Sequence, residues 1–176
     1  MEQTSRARTG RILLIVGRIV LAAIFLAAGL SKLKPLAGMP WTAASVKTSL
    51  AMFAMGVDSY QILPPWAVSP LAHFLPFFEI VLAIWLLSGF ALRVSSLLST
   101  LAICVFIYAM FSAWRRGLTI NCGCFGQGGA PIGPKDMMRD GLLFLPLSLA
   151  VFIGSIFANR RKRVASSAPV AQHTIA

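Results

Sequence analysis

The chain has 176 residues, 57% of them hydrophobic and only 12% charged, where a soluble domain carries about 25% charged residues. At roughly 20 apolar residues per membrane-spanning helix, four or five spans fit, which leaves too little chain for a separate soluble domain of ordinary size. The net charge of +11 does not point to nucleic acid, because the basic residues stand at the ends of apolar runs rather than in a stripe interleaved with aromatics. Arg6, Arg8 and Arg11 precede the first run, and Arg160, Arg161, Lys162 and Arg163 follow the last. Such clusters set the orientation of a protein in a membrane.

Residues 1–10 are polar and basic and are expected to form a disordered cytoplasmic segment. Arg11–Leu30 is apolar apart from Arg11 and Arg18 and reads as the first transmembrane helix, with Ser31-Lys32-Leu33-Lys34-Pro35 as its outer end. Ala27-Ala28-Gly29 imitates a signal-peptide cleavage site. Arg18 interrupts what would be the apolar core of a signal, however, and no soluble mature domain follows, so the helix is expected to be retained. Leu36–Ser69 reads as an interfacial segment. Val46, Leu50, Phe53, Ala54 and Val57 recur at helical spacing on one face, with Lys47, Ser49 and Asp58 off that stripe. This face is expected to lie in lipid or against the bundle, with Pro64-Pro65 ending the helix and Trp66 anchoring it at the interface.

The second span is expected at about Pro70–Leu87, with Pro70 in its first turn, a bend at Pro76 and Glu79 inside it. A turn containing Gly89 and then Arg93 leads to the third span, about Val94–Trp114, closed by Arg115 and Arg116. A Gly/Pro-rich loop, Gly117–Lys135, separates it from the fourth span, about Asp136–Phe157. The polar, basic tail 159–176 is expected to be disordered and cytoplasmic. The expected fold is an all-α membrane protein: a four-transmembrane-helix bundle over residues 11–158, with an amphipathic interfacial helix between spans 1 and 2. Four spans and two basic ends put both termini in the cytoplasm of a bacterial cell with the loop outside, although Arg115, Arg116, Lys135 and Arg139 beside that loop weaken the charge bias.

The loop holds Asn121-Cys122-Gly123-Cys124-Phe125-Gly126. On the outer side of a bacterial inner membrane disulfides form and persist. Two cysteines at i and i+2 can bridge, because Cα atoms about 4.4–6.8 Å apart suffice, and Gly123 relieves the backbone between them. A strained bridge is more easily reduced than a structural one and therefore exchanges more readily. Arg115 and Arg116, if near, would favour the thiolate. Other readings stay open: the pair could bind copper or zinc, or form an inert bridge. Zinc usually takes four ligands, and that side of the membrane offers only His73 besides, so no metal site is assigned. Redox exchange ranks first.

Cys104, mid-span and about 16 Å of helical rise from its helix end, reads as core filler rather than as an electron relay. His73 reads as a solvated interfacial group or an acid–base group. Charges within spans usually face the bundle interior with a partner. Glu79 and Arg18 are therefore candidates for proton handling or for a quinone pocket, or form a structural ion pair, Glu79 pairing with Arg18, Lys32 or Arg139. Arg139-Asp140 at the mouth of the fourth span could pair with these groups or brace the loop.

The run Cys122-Gly123-Cys124-Phe125-Gly126 resembles the signature of the MauE branch of the MauE/DoxX-like membrane proteins. Arg18 with Ala28-Gly29-Leu30-Ser31-Lys32-Leu33, Tyr60-Gln61-Ile62-Leu63-Pro64, Leu75-Pro76-Phe77-Phe78-Glu79, Gly89, Arg93 and Arg139-Asp140 are similar to that family in order and spacing. The likeness covers about residues 11–158. It implies a four-helix inner-membrane protein linked to methylamine utilisation. In that setting it supports maturation of the disulfide-rich small subunit of methylamine dehydrogenase, together with a separate thioredoxin-like partner.

Carried over, the redox role falls on Cys122 and Cys124 only; Glu79 and Arg139 are candidate supporting groups from the reading of the residues, not from the resemblance. No cofactor is identified; a quinone held in the bundle is one candidate oxidant for the pair, though enzymes of that design commonly use a second cysteine pair. The expected partners are membrane lipid, the thioredoxin-like protein and the disulfide-containing client. Whether the chain is itself an enzyme, a component of a thiol–disulfide oxidoreductase, stays open. A metal-handling protein, a passive membrane subunit that stabilises a partner, and a transporter resting only on Glu79 and Arg18 are the other readings.

Overall fold

Apolar runs of this length must satisfy their backbone internally in a membrane, and only a helix does so within one segment. A computed structural model of the chain describes residues 2–35, 39–118, 120 and 141–156. These residues form five helices and no strand: α1 (Glu2–Leu33), α2 (Ala43–Ser59), α3 (Pro65–Ser88), α4 (Leu92–Arg115) and α5 (Gly141–Ile156). Three segments are long and apolar enough to cross a bilayer: Gly10–Leu33, Pro65–Ser88 and Leu92–Arg115. At 1.5 Å per residue, the 24 residues of α3 reach about 36 Å, more than the roughly 30 Å hydrocarbon core. The described α5 has only 16 residues, about 24 Å, and the expected start of the fourth span at Asp136 lies outside the described residues.

Three helix limits differ from the sequence expectation. The segment expected to be disordered before Arg11 is helical from Glu2, because no proline or glycine stands between it and the apolar run until Gly10. Pro64-Pro65 does not end α2, which stops at Ser59. Pro64 is instead the N-cap of α3 and Pro65 its first residue, where a missing N–H costs nothing. Pro70 therefore lies inside α3 rather than in its first turn, and the helix runs on through both Pro70 and Pro76.

α2 begins at a reciprocal cap. The Ser45 N–H donates to Thr42 Oγ1 (3.2 Å), and the Thr42 N–H donates to Ser45 Oγ (3.0 Å). Its apolar stripe turns toward the protein, with Leu50 buried and α1 and α3 as neighbours. Ser49, expected off that stripe, is buried on it and donates to the Lys34 carbonyl (2.9 Å). The hydroxyl finds a partner at the C-terminal end of α1, which periodicity cannot foresee.

The contacts fix the directions. Arg18 meets Leu86 and Leu87, whereas Gly29 meets Pro76 and Ile80, so α1 and α3 are antiparallel. Gly17 faces Val151 and Leu147 and Gly154 faces Leu14, so α5 also opposes α1. Arg93, at the start of α4, donates to the Ile156 carbonyl at the end of α5 (3.4 Å). α1 and α4 thus run one way and α3 and α5 the other. The glycines matter because helices in lipid associate by close packing rather than by a hydrophobic drive. A Cβ on Gly29 would stand 2.8 Å from Ile80 Cγ1 and 2.9 Å from the Pro76 carbonyl oxygen, with no room for it.

Candidate functional site

The last carbonyls of a helix have no partner within it, and leaving one unsatisfied in an apolar medium costs several kcal/mol. Arginines from neighbouring helices meet this need at three places. Arg18 donates from Nε and Nη2 to the Leu86 carbonyl (3.1 and 3.0 Å) and from Nη2 to that of Leu87 (3.1 Å). Gly89 follows in the left-handed region at φ 73°, and a Cβ there would lie 2.8 Å from Arg18 Nη2. Arg93 donates to the carbonyl of Ile156, the last described residue of α5. Arg116 donates to the carbonyls of Tyr60 and Gln61 just beyond α2, the latter at 3.1 Å, and from Nε to Ser112 (3.1 Å). The Arg18 and Arg116 guanidinium groups also sit at the negative ends of the α3 and α2 dipoles. Arg18 is therefore not the ion-pair partner of Glu79.

That partner is Lys32. Long helical side chains lean toward the N-terminus of their own helix, so the Lys32 ammonium runs back over its preceding turn. It donates to the Ala28 carbonyl (3.3 Å) and reaches Glu79 Oε1 (2.8 Å) and Oε2 (2.7 Å). The rings of Phe53 of α2 and Phe106 of α4 stand 5.5 and 5.7 Å from Lys32 Nζ, within cation–π range. Side chains from four helices converge here, and the two charged ones are 0% and 2% exposed. Glu79 lies about 21 Å along α3 from its start and about 14 Å from its end, well inside an apolar span. The Gly29 contact with Pro76 and Ile80 brings the two helices close enough for the pair to form.

Beside the pair lies a cavity of about 60 Å³. Its walls include Phe25 and Ala28 of α1, Ile103, Phe106 and Met110 of α4, and Phe144 of α5, together with Lys32 and Glu79. It exists because α1 and α4, though parallel, stay apart: no Cα of one comes within 8 Å of the other. Side chains alone span the gap.

Of the residues singled out in the sequence, Glu79 is thus placed in a site and joined to Lys32. Cys122, Cys124, Arg139 and Asp140 lie outside the described residues. The described chain does show where that stretch departs and returns. The end of α4 sits beside the end of α2 through Arg116, and α5 starts at the same end of the bundle, since α5 opposes α4. Arg116 has Nε and both Nη atoms on carbonyls, and the Arg115 guanidinium lies 5.9 Å from the Phe111 ring.

Cys104 is not core filler. It is exposed on the outside of α4, where Leu101, Val105 and Tyr108 are also exposed. His73 is exposed on α3 with Nδ1 2.8 Å from the Ser69 carbonyl oxygen. The part played by Lys32 was only partly legible. It ends an apolar run, which suggests a snorkelling interfacial lysine, and Glu79 had three basic residues to choose from.

No curated protein and no solved structure matches the chain. A family model described as Methylamine utilisation protein MauE matches residues 10–153. That range takes in α1 from residue 10, α2 to α4, Lys32, Glu79, the three clamping arginines and the Cys-Gly-Cys run, most of the chain, and the protein belongs to the MauE family.

Proposed function

We propose that this MauE family membrane protein supports thiol–disulfide exchange through Cys122 and Cys124. A separate thioredoxin-like protein is its partner, and the pathway is maturation of a disulfide-containing client in methylamine metabolism. One thiolate of the pair attacks the partner's disulfide to give a mixed disulfide and release a partner thiol. The neighbouring cysteine then attacks the mixed disulfide, leaving a Cys122–Cys124 bridge and a reduced partner. Two electrons pass to the partner, and the same steps reversed pass them back.

The observation that carries this reading is the family match across residues 10–153, which spans the only closely spaced cysteines in the chain. Further support comes from the apolar helices, which act as an anchor, and from the basic clusters at both chain ends. By charge, those clusters favour cytoplasmic termini and an extracytoplasmic 121–140 stretch in the bacterial inner membrane. Within the anchor, α2 is the amphipathic helix of the outer interface, and α5 with the residues before it forms the fourth span.

The test is the double substitution Cys122→Ser/Cys124→Ser at equal expression, reading client disulfides by alkylation and mass shift. Loss of client disulfides is expected, and intact ones would remove the exchange role. In native membranes, an impermeant thiol reagent is expected to label the pair only after mild reduction and only from outside. Free thiols that become reactive only after a chelator is added would replace exchange with metal handling.

A further inference from the structure

The arginines on backbone carbonyls are not equally satisfied. Among the described residues Arg18 and Arg116 each make three hydrogen bonds, whereas Arg93 makes one, a 3.4 Å bond from Nη2 to the Ile156 carbonyl. Arg93 Nε is buried and has no hydrogen-bond partner among the described residues. A guanidinium carries five N–H donors and a permanent charge, and a buried donor without an acceptor is costly. Arg93 also stands in the first turn of α4, two residues after the N-cap Ala91, where the helix dipole opposes a cation. The position calls for an anion.

The acidic side chains of the chain are placed elsewhere. There are five. Glu79 is engaged by Lys32 in mid-bundle. Asp58 lies in the last turn of α2, at the opposite end, beside the end of α4. Asp136 and Asp140 precede α5, which starts at that opposite end and reaches Arg93 only at Ile156. Glu2 opens α1 twelve residues, about 18 Å, before Leu14, the residue that packs on Gly154. The other charges that the sequence brings to this end are basic: Arg6, Arg8 and Arg11 before the first span, and the 160–163 run after α5. A second copy of the chain would bring the same positive excess. Exposed apolar residues flank Arg93, namely Phe90, Val94 and Leu97, with Ile153 on α5. The complementary anion is therefore one with an apolar body.

We propose that Arg93 holds the phosphate of an anionic phospholipid, at the end of the bundle where α4 begins and the described α5 finishes. A phosphodiester accepts two parallel N–H bonds from a guanidinium, and the single long bond to Ile156 leaves the rest of the fork free to turn toward it. The acyl chains would lie along Leu97 and Leu101 of α4 and Ile153 of α5. Basic positions between transmembrane helices are a common build for phospholipid headgroup sites. This site does not depend on the exchange reading, and the Cys122→Ser/Cys124→Ser protein is expected to bind equally well.

The experiment is native mass spectrometry of the full chain in mild detergent, titrated with dioleoyl phosphatidylglycerol or with dioleoyl phosphatidylcholine, which has the same chains and no net charge. One phosphatidylglycerol is expected to bind about fivefold tighter than phosphatidylcholine, or better. Arg93→Gln is expected to abolish that preference, whereas Arg8→Gln, which removes the same charge from the start of α1, keeps it. Arg93→Lys should keep only part of it, because an ammonium has no fork. Phosphatidylglycerol with a photoreactive acyl chain maps the site on the unaltered protein, so the test does not hang on the folding of a variant. Its label is expected in residues 90–101 and 149–156. Equal binding of the two lipids, a preference that survives Arg93→Gln, or a label centred on residues 1–11 would overturn the site. Displacement of the lipid by inorganic phosphate at equal concentration would make the ligand the free anion and overturn the lipid assignment.

Discussion

Helix α1 carries two charges into the apolar bundle, and it disposes of them differently. Among the described residues, Arg18 meets no formal charge. Its guanidinium fork lies on two carbonyls at the end of α3, where partial negative charge accumulates and where an unsatisfied acceptor would otherwise remain. Lys32 meets a full carboxylate from mid-α3, sealed by two phenyl rings. The first arrangement solves a backbone problem at a helix end and is repeated by Arg93 and Arg116. The second buries two full charges that face each other, with the Ala28 carbonyl and two rings also around the ammonium. An arginine at a helix end is thus structural by construction, whereas a lysine–glutamate pair in mid-bundle makes each side chain depend on the presence of the other.

The sharpest break of this comparison removes one partner of the pair. Lys32→Met or Glu79→Leu alone leaves an uncompensated buried charge and is expected to cost about 3–5 kcal/mol. The double substitution is expected to recover most of that loss. Thermal loss of monodispersity in mild detergent, compared across the cycle, checks it; single variants no worse than the double one would mean that the pair is not coupled.

Next comes Gly29→Val. Its side chain must displace Ile80 or the Pro76 carbonyl, an overpacking of roughly 1–3 kcal/mol, and it should move Lys32 off Glu79. The same assay on the Lys32→Met/Glu79→Leu background tells whether the loss runs through the pair. Arg18→Met, which frees the buried Leu86 carbonyl and that of Leu87 but strands no buried charge, should cost about 1–3 kcal/mol. Arg18→Lys is expected to restore only part of this, because an ammonium cannot present the same fork. The smallest effect is expected from Cys104→Ala, with an unchanged melting temperature; a clear drop would place Cys104 in a contact the monomer does not show.

The apolar spans were legible in the sequence because their length alone demands a membrane, and α4 lies within two residues of its expected limits. The prolines were not. Pro64-Pro65 can end one helix or start the next, and the choice depends on where α2 runs out of contacts with α1 and α3. Cys104 was misread for an instructive reason. In a soluble helix small polar residues face outward, whereas here Ser95, Ser96 and Ser99 face inward, and Ser99 donates its hydroxyl to the Ser95 carbonyl of its own helix. The large apolar residues take the lipid side, and Cys104 goes with them. Glu79 was singled out from its depth alone, but its choice of Lys32 over Arg18 depends on the antiparallel register of α1 and α3, which one sequence does not encode in any local pattern.

The grip of Arg116 on Tyr60 and Gln61 has a mechanical consequence. The chain that leaves α4 at Gly117 is moored to the loop entering α3 as well as to the helix it leaves. A protein that binds and tugs the 121–140 stretch would load two anchorages at once, sharing the strain between α4 and the α2–α3 corner. Such a root resists being peeled out of the bilayer one helix at a time.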